Sequence, residues 1–156
     1  MGSKKQRINS TLVGLGKLTN DTELDFGLLP SLVGYHLRRA QLSVFNDFAK
    51  TMSGTQITPG QFGVITLIAA NPGMTQSALA RAVGIERSTM VAVIDALESR
   101  GLVERRASPA DRRSYALVPS SDGIALLRQI KPLVLEHENR VAADLSREER
   151  GLLMQL

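Results

Sequence analysis

A short run of polar side chains follows the dipeptide Gly84-Ile85 in the middle of the chain. Arg87, Ser88 and Thr89 supply a guanidinium group and two hydroxyl groups, and Val91 adds an aliphatic group two residues later. On a helix in the major groove of a duplex, arginine pairs with guanine or a phosphate, hydroxyls bond to either, and an aliphatic group contacts the thymine methyl. The alternative is a polar helix face in contact with water, and this run alone does not decide between the two.

Two further groups of polar residues flank this run. Gln76 and Ser77 begin the preceding helix, where side chains and free amide groups suit a phosphate or simply cap the helix. Arg81 is a phosphate candidate as well, and an ordinary surface arginine is the alternative. On the other side lies a basic segment, in which a hairpin could place arginine in the minor groove or merely in water. Its candidates are Arg106, Arg112, Arg113 and Ser114.

Helical spacing predicts the elements that must position these residues. Thr75 is a good cap for one short helix, which Gly84 ends, and a second helix is predicted over residues 86–100. Its apolar residues Met90, Ile94 and Leu97 recur on one face, so the run that begins at Arg87 is expected to be exposed. Strands are predicted over residues 102–106 and 115–118, with the basic segment between them. This order is a helix-turn-helix followed by a wing.

Long helices are predicted on both sides of this lobe. Residues 28–50 carry one apolar stripe, residues 121–145 another, and Ser146 with Glu149 forms a capping box that begins a last helix. Thr58 and Gln61 form the corresponding box where the lobe begins. The predicted fold is mainly α with a small β-wing: a winged helix-turn-helix plus a helical dimerisation region. The predicted units are a polar arm (1–27), a dimerisation or pocket helix (28–52), a DNA-binding lobe (57–119) and C-terminal dimerisation helices (120–156).

Composition restricts the class of protein. The 156 residues have a net charge of +4 and no cysteine, which excludes disulfides and thiolate metal sites and fits the cytoplasm. No run approaches the roughly 20 apolar residues of a membrane span. The histidines are His36 and His137, and His137 lies between two glutamates on what we expect to be a charged surface. We therefore predict no catalytic site, metal or cofactor, and an enzyme is the least favoured class.

These residues carry a resemblance to the MarR (multiple antibiotic resistance regulator) family of winged-helix repressors. The segment 88–105, with Ile94-Asp95-Ala96-Leu97-Glu98 and Arg100-Gly101-Leu102-Val103-Glu104-Arg105, resembles the family's recognition helix and first wing strand. The spacing from Asp111-Arg112-Arg113-Ser114 to Gly123 resembles its wing signature. Two departures are Pro119-Ser120, where Leu-Thr is usual, and Val91-Ala92, where many relatives have Thr-Arg.

The resemblance implies a homodimer on a pseudo-palindromic operator, released by a small ligand that is often a phenolic or aromatic acid. The first helix resembles members that regulate aromatic acid catabolism, some of which respond to the coenzyme A thioester of a hydroxycinnamate or benzoate. In such proteins the pocket lies between the dimer helices and the DNA-binding lobe. We hypothesise that Arg39 pairs with a ligand anion, Tyr35 and His36 bond its polar groups, and Phe62 supplies a ring wall.

Other interpretations stay open at this stage. His36 could be a core residue, and Tyr35 with Arg39 could be an ordinary surface pair at helical spacing. The whole chain could be a ligand-independent or architectural DNA-binding protein, which would share every motif without a working pocket. A winged helix used for protein or RNA contacts is a second alternative.

Overall fold

The structure is a computed structural model that describes residues 24–107 and 115–155. A single turn of 3-10 helix (Leu29–Ser31) precedes the first of six α-helices in this part of the chain. The helices are α1 (Val33–Thr51), α2 (Pro59–Ala70), α3 (Gln76–Val83), α4 (Arg87–Ser99), α5 (Ser121–Val141) and α6 (Arg147–Leu153). The strands are β1 (Met74–Thr75), β2 (Val103–Ala107) and β3 (Tyr115–Pro119).

The predicted first helix begins later than its apolar pattern suggests. Pro30 lies in the 3-10 turn, and the backbone at Leu32 is extended, so α1 begins only at Val33. The prediction that the helix covers residues 28–32 is therefore wrong. Since proline fixes its own φ and disfavours helix at the residue before it, a tight turn is the conformation that this segment can adopt.

The helix starts in the rest of the chain agree with the sequence. Thr58 and Gln61 form a complete capping box at α2, and Ser146 and Glu149 form another at α6. Hydrogen bonds from Ser146 also lower the pKa of Glu149. The hydroxyl of Ser120 accepts a hydrogen bond from the amide of Gly123 at 3.0 Å, so the unusual Pro119-Ser120 pair still begins α5 properly.

The wing strands belong to a three-stranded antiparallel sheet in the order β1-β3-β2. Strand β1 was missed by the sequence analysis, because two residues give no periodicity. Met74 pairs with Leu117 and Thr75 with Ala116, so the start of α3 is tied to the middle strand of the sheet. The wing and the helix-turn-helix are thus parts of one packed unit.

One hydrophobic core lies under this lobe. It is formed by residues of α2, α3, α4 and the sheet, and Ile130 of α5 and Phe48 of α1 pack into it. Met90, Ile94 and Leu97 of α4 are fully buried, as their spacing predicts. The apolar residues in the N-terminal half of α1 are different: Val33 is 75% exposed and Leu37 61%. That surface has no cover within the single chain.

A side chain from the end of α4 holds the loop between α1 and α2. The guanidinium group of Arg100 donates to the backbone carbonyl of Thr55 at 2.7 Å and to that of Gln56 at 3.0 Å. Gln56 has a φ of +54°, a left-handed conformation that costs free energy in a residue with a side chain. The two hydrogen bonds help to hold that strained turn.

Candidate nucleic-acid interface

The turn between α3 and α4 directs the start of α4 outwards. The hydroxyl of Thr75 accepts a hydrogen bond from the amide of Ala78, and Gly84 ends α3 with a φ of +72°. Because the buried face of α4 is occupied by its apolar stripe, the opposite face is exposed along its first two turns. Arg87, Ser88, Thr89 and Val91 all lie on that exposed face.

Four of the residues predicted to contact DNA lie around two adjoining clefts. Gln76, Ser77 and Arg87 line the first cleft, which lies between the starts of α3 and α4. Ser77, Arg81 and Arg87 line the second, under the turn. Ser88, Thr89 and Val91 are not among the lining residues of either cleft and extend along α4. The arrangement offers hydroxyl, amide and guanidinium donors at one end of an exposed helix, which suits a phosphate beside a groove.

The wing is described only in part. Arg106 is exposed on β2, where its guanidinium donates two hydrogen bonds to the carboxylate of Glu104, at 3.1 and 2.9 Å. Arg112, Arg113 and Ser114 lie outside the described residues. Arg106 lies on the strand that leads to the wing loop, a position that suits a contact with the DNA backbone. Its partner Glu104 reduces the local positive charge.

The residue that joins the wing to α4 is not among those predicted from the sequence. Arg105 of β2 forms ion pairs with both Asp95 and Glu98 of α4, and its side chain is mostly buried. Burial works against its charge, but the hydrogen bonds and charges of the two carboxylates outweigh that effect and raise the pKa of Arg105. Asp95 and Glu98 are three residues apart on a helix, a spacing that puts both on one face, and this is the signal that could have identified the pair.

Tyr115 was also missed. It begins β3 and lines the first cleft together with Gln76, Ser77 and Arg87, although 61% of its surface is exposed. A large aromatic side chain at the edge of a set of polar donors is unusual enough to suggest a role in contact. The sequence signal was its position one residue after the predicted wing loop.

Three of the predicted effector residues form one surface cluster at the start of α1. A guanidinium nitrogen of Arg39 lies 3.2 Å from the hydroxyl of Tyr35, and the ring of Tyr35 is edge-on to that of His36 at 5.5 Å. A ring nitrogen of His36 lies 2.8 Å from the carbonyl oxygen of Pro30. Phe62 is elsewhere: its ring packs against that of Phe48, with centroids 5.8 Å apart.

Phe62 also lines an apolar groove between α2 and α5. The groove has a volume of about 290 Å³ and lies where the DNA-binding lobe meets the long C-terminal helix. Leu127, Val134 and Leu135 form its α5 side, and Lys131 is the charged residue of its lining. A mainly apolar groove with one cation in its lining suits a hydrophobic group that carries an anionic or polar end.

His137 does not lie on a charged surface, and that expectation is wrong. It is only 5% exposed, packs edge-on against Phe48, and its Nδ1 lies 2.7 Å from a carboxylate oxygen of Asp47. Arg140 donates to the same carboxylate oxygen and to the hydroxyl of Thr51. These contacts lower the pKa of Asp47, mainly through the hydrogen bonds from His137 and Arg140. The group ties α5 to α1.

Two other kinds of site were sought in the described ranges. Residues 24–107 and 115–155 contain no group of three or more histidine, cysteine, aspartate or glutamate side chains placed to hold a metal ion. Within the same ranges, none of the helices combines the length and the apolar character needed to cross a membrane.

Comparison with known proteins agrees with this architecture. Residues 57–115 match the sequence model of the MarR family. A protein of Thauera aromatica, described as a transcriptional regulatory protein for the hcr operon, is 42% identical over 144 residues, which are 90% of this chain and 87% of that protein.

Solved structures of the transcriptional repressor CouR are similar in both fold and sequence. CouR bound to a 23-mer DNA duplex has 46% identity and a TM-score of 0.80, over 86% of this chain and 95% of that one. CouR bound to p-coumaroyl-CoA has 44% identity and a TM-score of 0.79, over 85% and 94% of the two chains. The chain belongs to the MarR family of winged-helix transcriptional regulators. Its class is that of a regulator, not an enzyme.

Proposed function

We propose that the chain is a ligand-responsive repressor, which binds a pseudo-palindromic duplex operator as a homodimer and leaves it when an aromatic acid or its coenzyme A thioester binds. The observation that carries the proposal is the exposed start of α4 beside the polar clefts at the start of α3. A cytoplasmic location is part of the same proposal, since the operator and the metabolite would both be found there.

The dimer part of the proposal is supported by the apolar surface of the long helices. Exposed large hydrophobic residues in this region are Leu28, Leu29, Leu32, Val33, Leu37, Leu42, Phe45, Ile124, Leu135, Val141, Leu145, Leu152, Leu153 and Met154. Residues of α1, α5 and α6 also line one shared groove of about 520 Å³. Exposed apolar side chains in this number, some of them around one groove, indicate an interface, and a second copy of the chain presents the same residues. Residues 28–52 and 120–156 would supply it.

The DNA part follows from the geometry of α4. Its exposed first turns fit the major groove, where Ser88, Thr89 and Val91 would face base edges. Arg87, Gln76, Ser77 and Arg81 would hold the adjacent phosphates from the clefts. Arg106, Arg112, Arg113 and Ser114 would approach the neighbouring minor groove from the wing. A dimer would place two such helices about 34 Å apart, one turn of the duplex.

The effector part is supported by the groove and by the ligand of a relative. CouR has been solved with p-coumaroyl-CoA. In this chain the aromatic acyl group would lie against Phe62 in the apolar groove, and Arg39 would pair with an anionic group of the ligand. Tyr35 and His36 would bond its polar groups. Because α5 and α2 form the two sides of the groove, a ligand there would bind differently to different arrangements of the two helices, as release requires.

Duplex selection and effector titration test the proposal. Bound duplexes are selected from a random library, and the affinity for the best one is measured by fluorescence anisotropy at several salt concentrations. We expect binding that weakens steeply with salt, and release by p-coumaroyl-CoA but not by coenzyme A alone. Absence of salt-sensitive binding to any duplex would refute the function. Binding that ignores a panel of aromatic acids and thioesters would favour a ligand-independent DNA-binding protein, and equal competition by RNA would favour an RNA-binding module.

A further inference from the structure

The strand register places Tyr115 between the helix-turn-helix and the wing. Strand β3 is the middle strand, and Thr75 of β1 pairs with Ala116 in antiparallel register. Gln76, which follows Thr75, and Tyr115, which precedes Ala116, are therefore neighbours. On its other side β3 pairs with β2, where Ala107 is the partner of Tyr115. Tyr115 is therefore at the point where the start of α3 meets the base of the wing.

Strand alternation explains which way this side chain points. Residues two apart in a strand share a face, so Tyr115 is on the same face as Leu117, which is fully buried in the core. Arg105 pairs with Leu117 and also lies on that face, towards α4. Tyr115 lies on this face just outside the buried core. Its ring is therefore on the side of the sheet that faces the helices, and most of the residue is exposed.

The surroundings of the phenol are polar. Gln76, Ser77, Arg87 and Arg105 line the small cleft that Tyr115 borders. Arg105 is already engaged by Asp95 and Glu98. An exposed ring in this position buries little surface in the core. Its hydroxyl borders a cleft whose lining includes the guanidinium group of Arg87, so it is well placed to donate to an anion held there.

We propose that the Tyr115 hydroxyl donates a hydrogen bond to a DNA phosphate at the junction of α3 and the wing, on the duplex that Arg87 also contacts. The inference rests on the proposed DNA-binding function and adds a neutral contact to a set otherwise made of arginine and short polar side chains. Phosphate contacts of this kind fix the register of a protein on the duplex without reading sequence.

Removal of the hydroxyl distinguishes a neutral hydrogen bond to phosphate from a charged contact with phosphate. Tyr115→Phe should weaken binding of the dimer to a mixed-sequence duplex of about 25 base pairs by about a hundredfold or more, since each of the two protomers loses one hydrogen bond to a charged acceptor. The dependence on salt should keep its slope, because a neutral donor displaces no counterion. Arg87→Gln is the comparison variant, in which the slope falls.

A direct readout comes from the composition of the chain. It has two tyrosines, Tyr35 and Tyr115, and no tryptophan. Protein labelled with 3-fluorotyrosine therefore gives two fluorine resonances, which Tyr35→Phe assigns. On addition of the mixed-sequence duplex, the Tyr115 resonance should shift with the same midpoint as binding.

The outcomes are distinct. Wild-type affinity in Tyr115→Phe overturns the inference, and so does weaker binding with an unmoved Tyr115 resonance, because the ring would then act only through the fold. Circular dichroism melting of Tyr115→Phe should match the wild type, as expected for an exposed hydroxyl. Failure of the wild-type protein to bind duplex DNA would instead refute the proposed function itself.

Discussion

The imidazole Nδ1 of His137 lies 2.7 Å from a carboxylate oxygen of Asp47. The two residues are 90 positions apart in sequence, one on α5 and one on α1, and Arg140 reaches the same oxygen. A buried ring and a partly exposed carboxylate thus join the two long helices, together with the packing of His137 on Phe48 and the hydrogen bond from Arg140 to Thr51. This contact helps to hold α5 against α1, and both helices carry exposed apolar residues.

Asp47→Asn tests the contribution of this contact through pH. The folded-state pKa of Asp47 is below its unfolded value, so its contribution is present at neutral pH, begins to fall near an unfolded pKa of about 3.9, and is lost below the folded pKa. We expect Asp47→Asn to lose about 1 kcal/mol at pH 7, a small value because the carboxylate is partly exposed. Urea unfolding at fixed protein concentration between pH 3 and pH 7 measures the difference.

The matched control for this experiment is Asp144→Asn, which alters an exposed carboxylate near the end of α5. The wild type and Asp47→Asn should converge in stability as the pH falls, whereas Asp144→Asn should follow the wild type throughout. An unchanged gap between the wild type and Asp47→Asn at pH 3 would contradict the assignment.

Gly123→Ala tests the close approach of α5 to the sheet. A Cβ at Gly123 would overlap the backbone carbonyl of Leu102, which a rotamer change cannot relieve. We expect a loss of about 2 kcal/mol or more in unfolding free energy, as for overpacking against rigid atoms. Gly151→Ala is the control: its Cβ meets open space in α6, and the change should add about 0.5 kcal/mol. Equal stability of the two variants would show that α5 can shift.

Arg105→Met tests the link between the wing and α4. Removal of the guanidinium leaves Asp95 and Glu98 unpaired on α4, and we expect a loss of about 1–2 kcal/mol because the arginine is mostly buried. Glu98→Gln in the same chain should recover part of that loss, which a double-mutant cycle in urea unfolding would measure. Strict additivity of the two changes would mean that the pair between Arg105 and Glu98 contributes nothing.

Arg87→Gln and Val91→Ala should separate phosphate contact from base contact. Arg87 lines the clefts, so we expect weaker binding to all duplexes alike and a salt slope lower by about 2 for a dimer. Val91 is on the exposed face of α4, and its truncation should change the preferred sequence at a thymine position. Selection from a random duplex library compares the two, and a shifted preference in Arg87→Gln would assign it to a base.

Arg39→Ala tests the effector site. Calorimetry with p-coumaroyl-CoA should show affinity lower by about tenfold or more, because a charge-assisted pair is lost. Arg38→Ala is the matched control, since the neighbouring guanidinium is on another face and bonds to Gln41. Unchanged affinity in Arg39→Ala would remove Arg39 from the site while leaving the rest of the proposal intact.

The parts of the fold that could be predicted are those determined by residues close to one another in the sequence. Caps at Thr58, Thr75 and Ser146 and the left-handed Gly84 give the helix boundaries directly, because each satisfies backbone groups within four residues. The buried stripe of α4 follows from its spacing. The outward face of α4, and with it the exposed position of the candidate DNA contacts, could therefore be derived from the sequence.

The parts that were missed depend on distant residues. Strand β1 exists only because Met74 meets Leu117, and a two-residue strand has no pattern of its own. His137 looked like a surface residue between two glutamates, but burial is decided by Phe48 and Asp47 on another helix. The neighbours of Tyr115 could not be predicted for the same reason, because they result from the pairing of β3 with β1 and β2.

The hydrogen bonds from Arg100 to the backbone of Thr55 and Gln56 have a consequence for the order of assembly. They join positions 44 and 45 residues apart, so they can form only after the intervening helices have packed. The turn at Gln56 also has local hydrogen bonds, from the amides of Thr55 and Gln56 to the carbonyl of Met52, but its link to α4 depends on the bonds from Arg100. We therefore expect this connection to be completed late in folding and to open early on heating, before the core beneath it loosens.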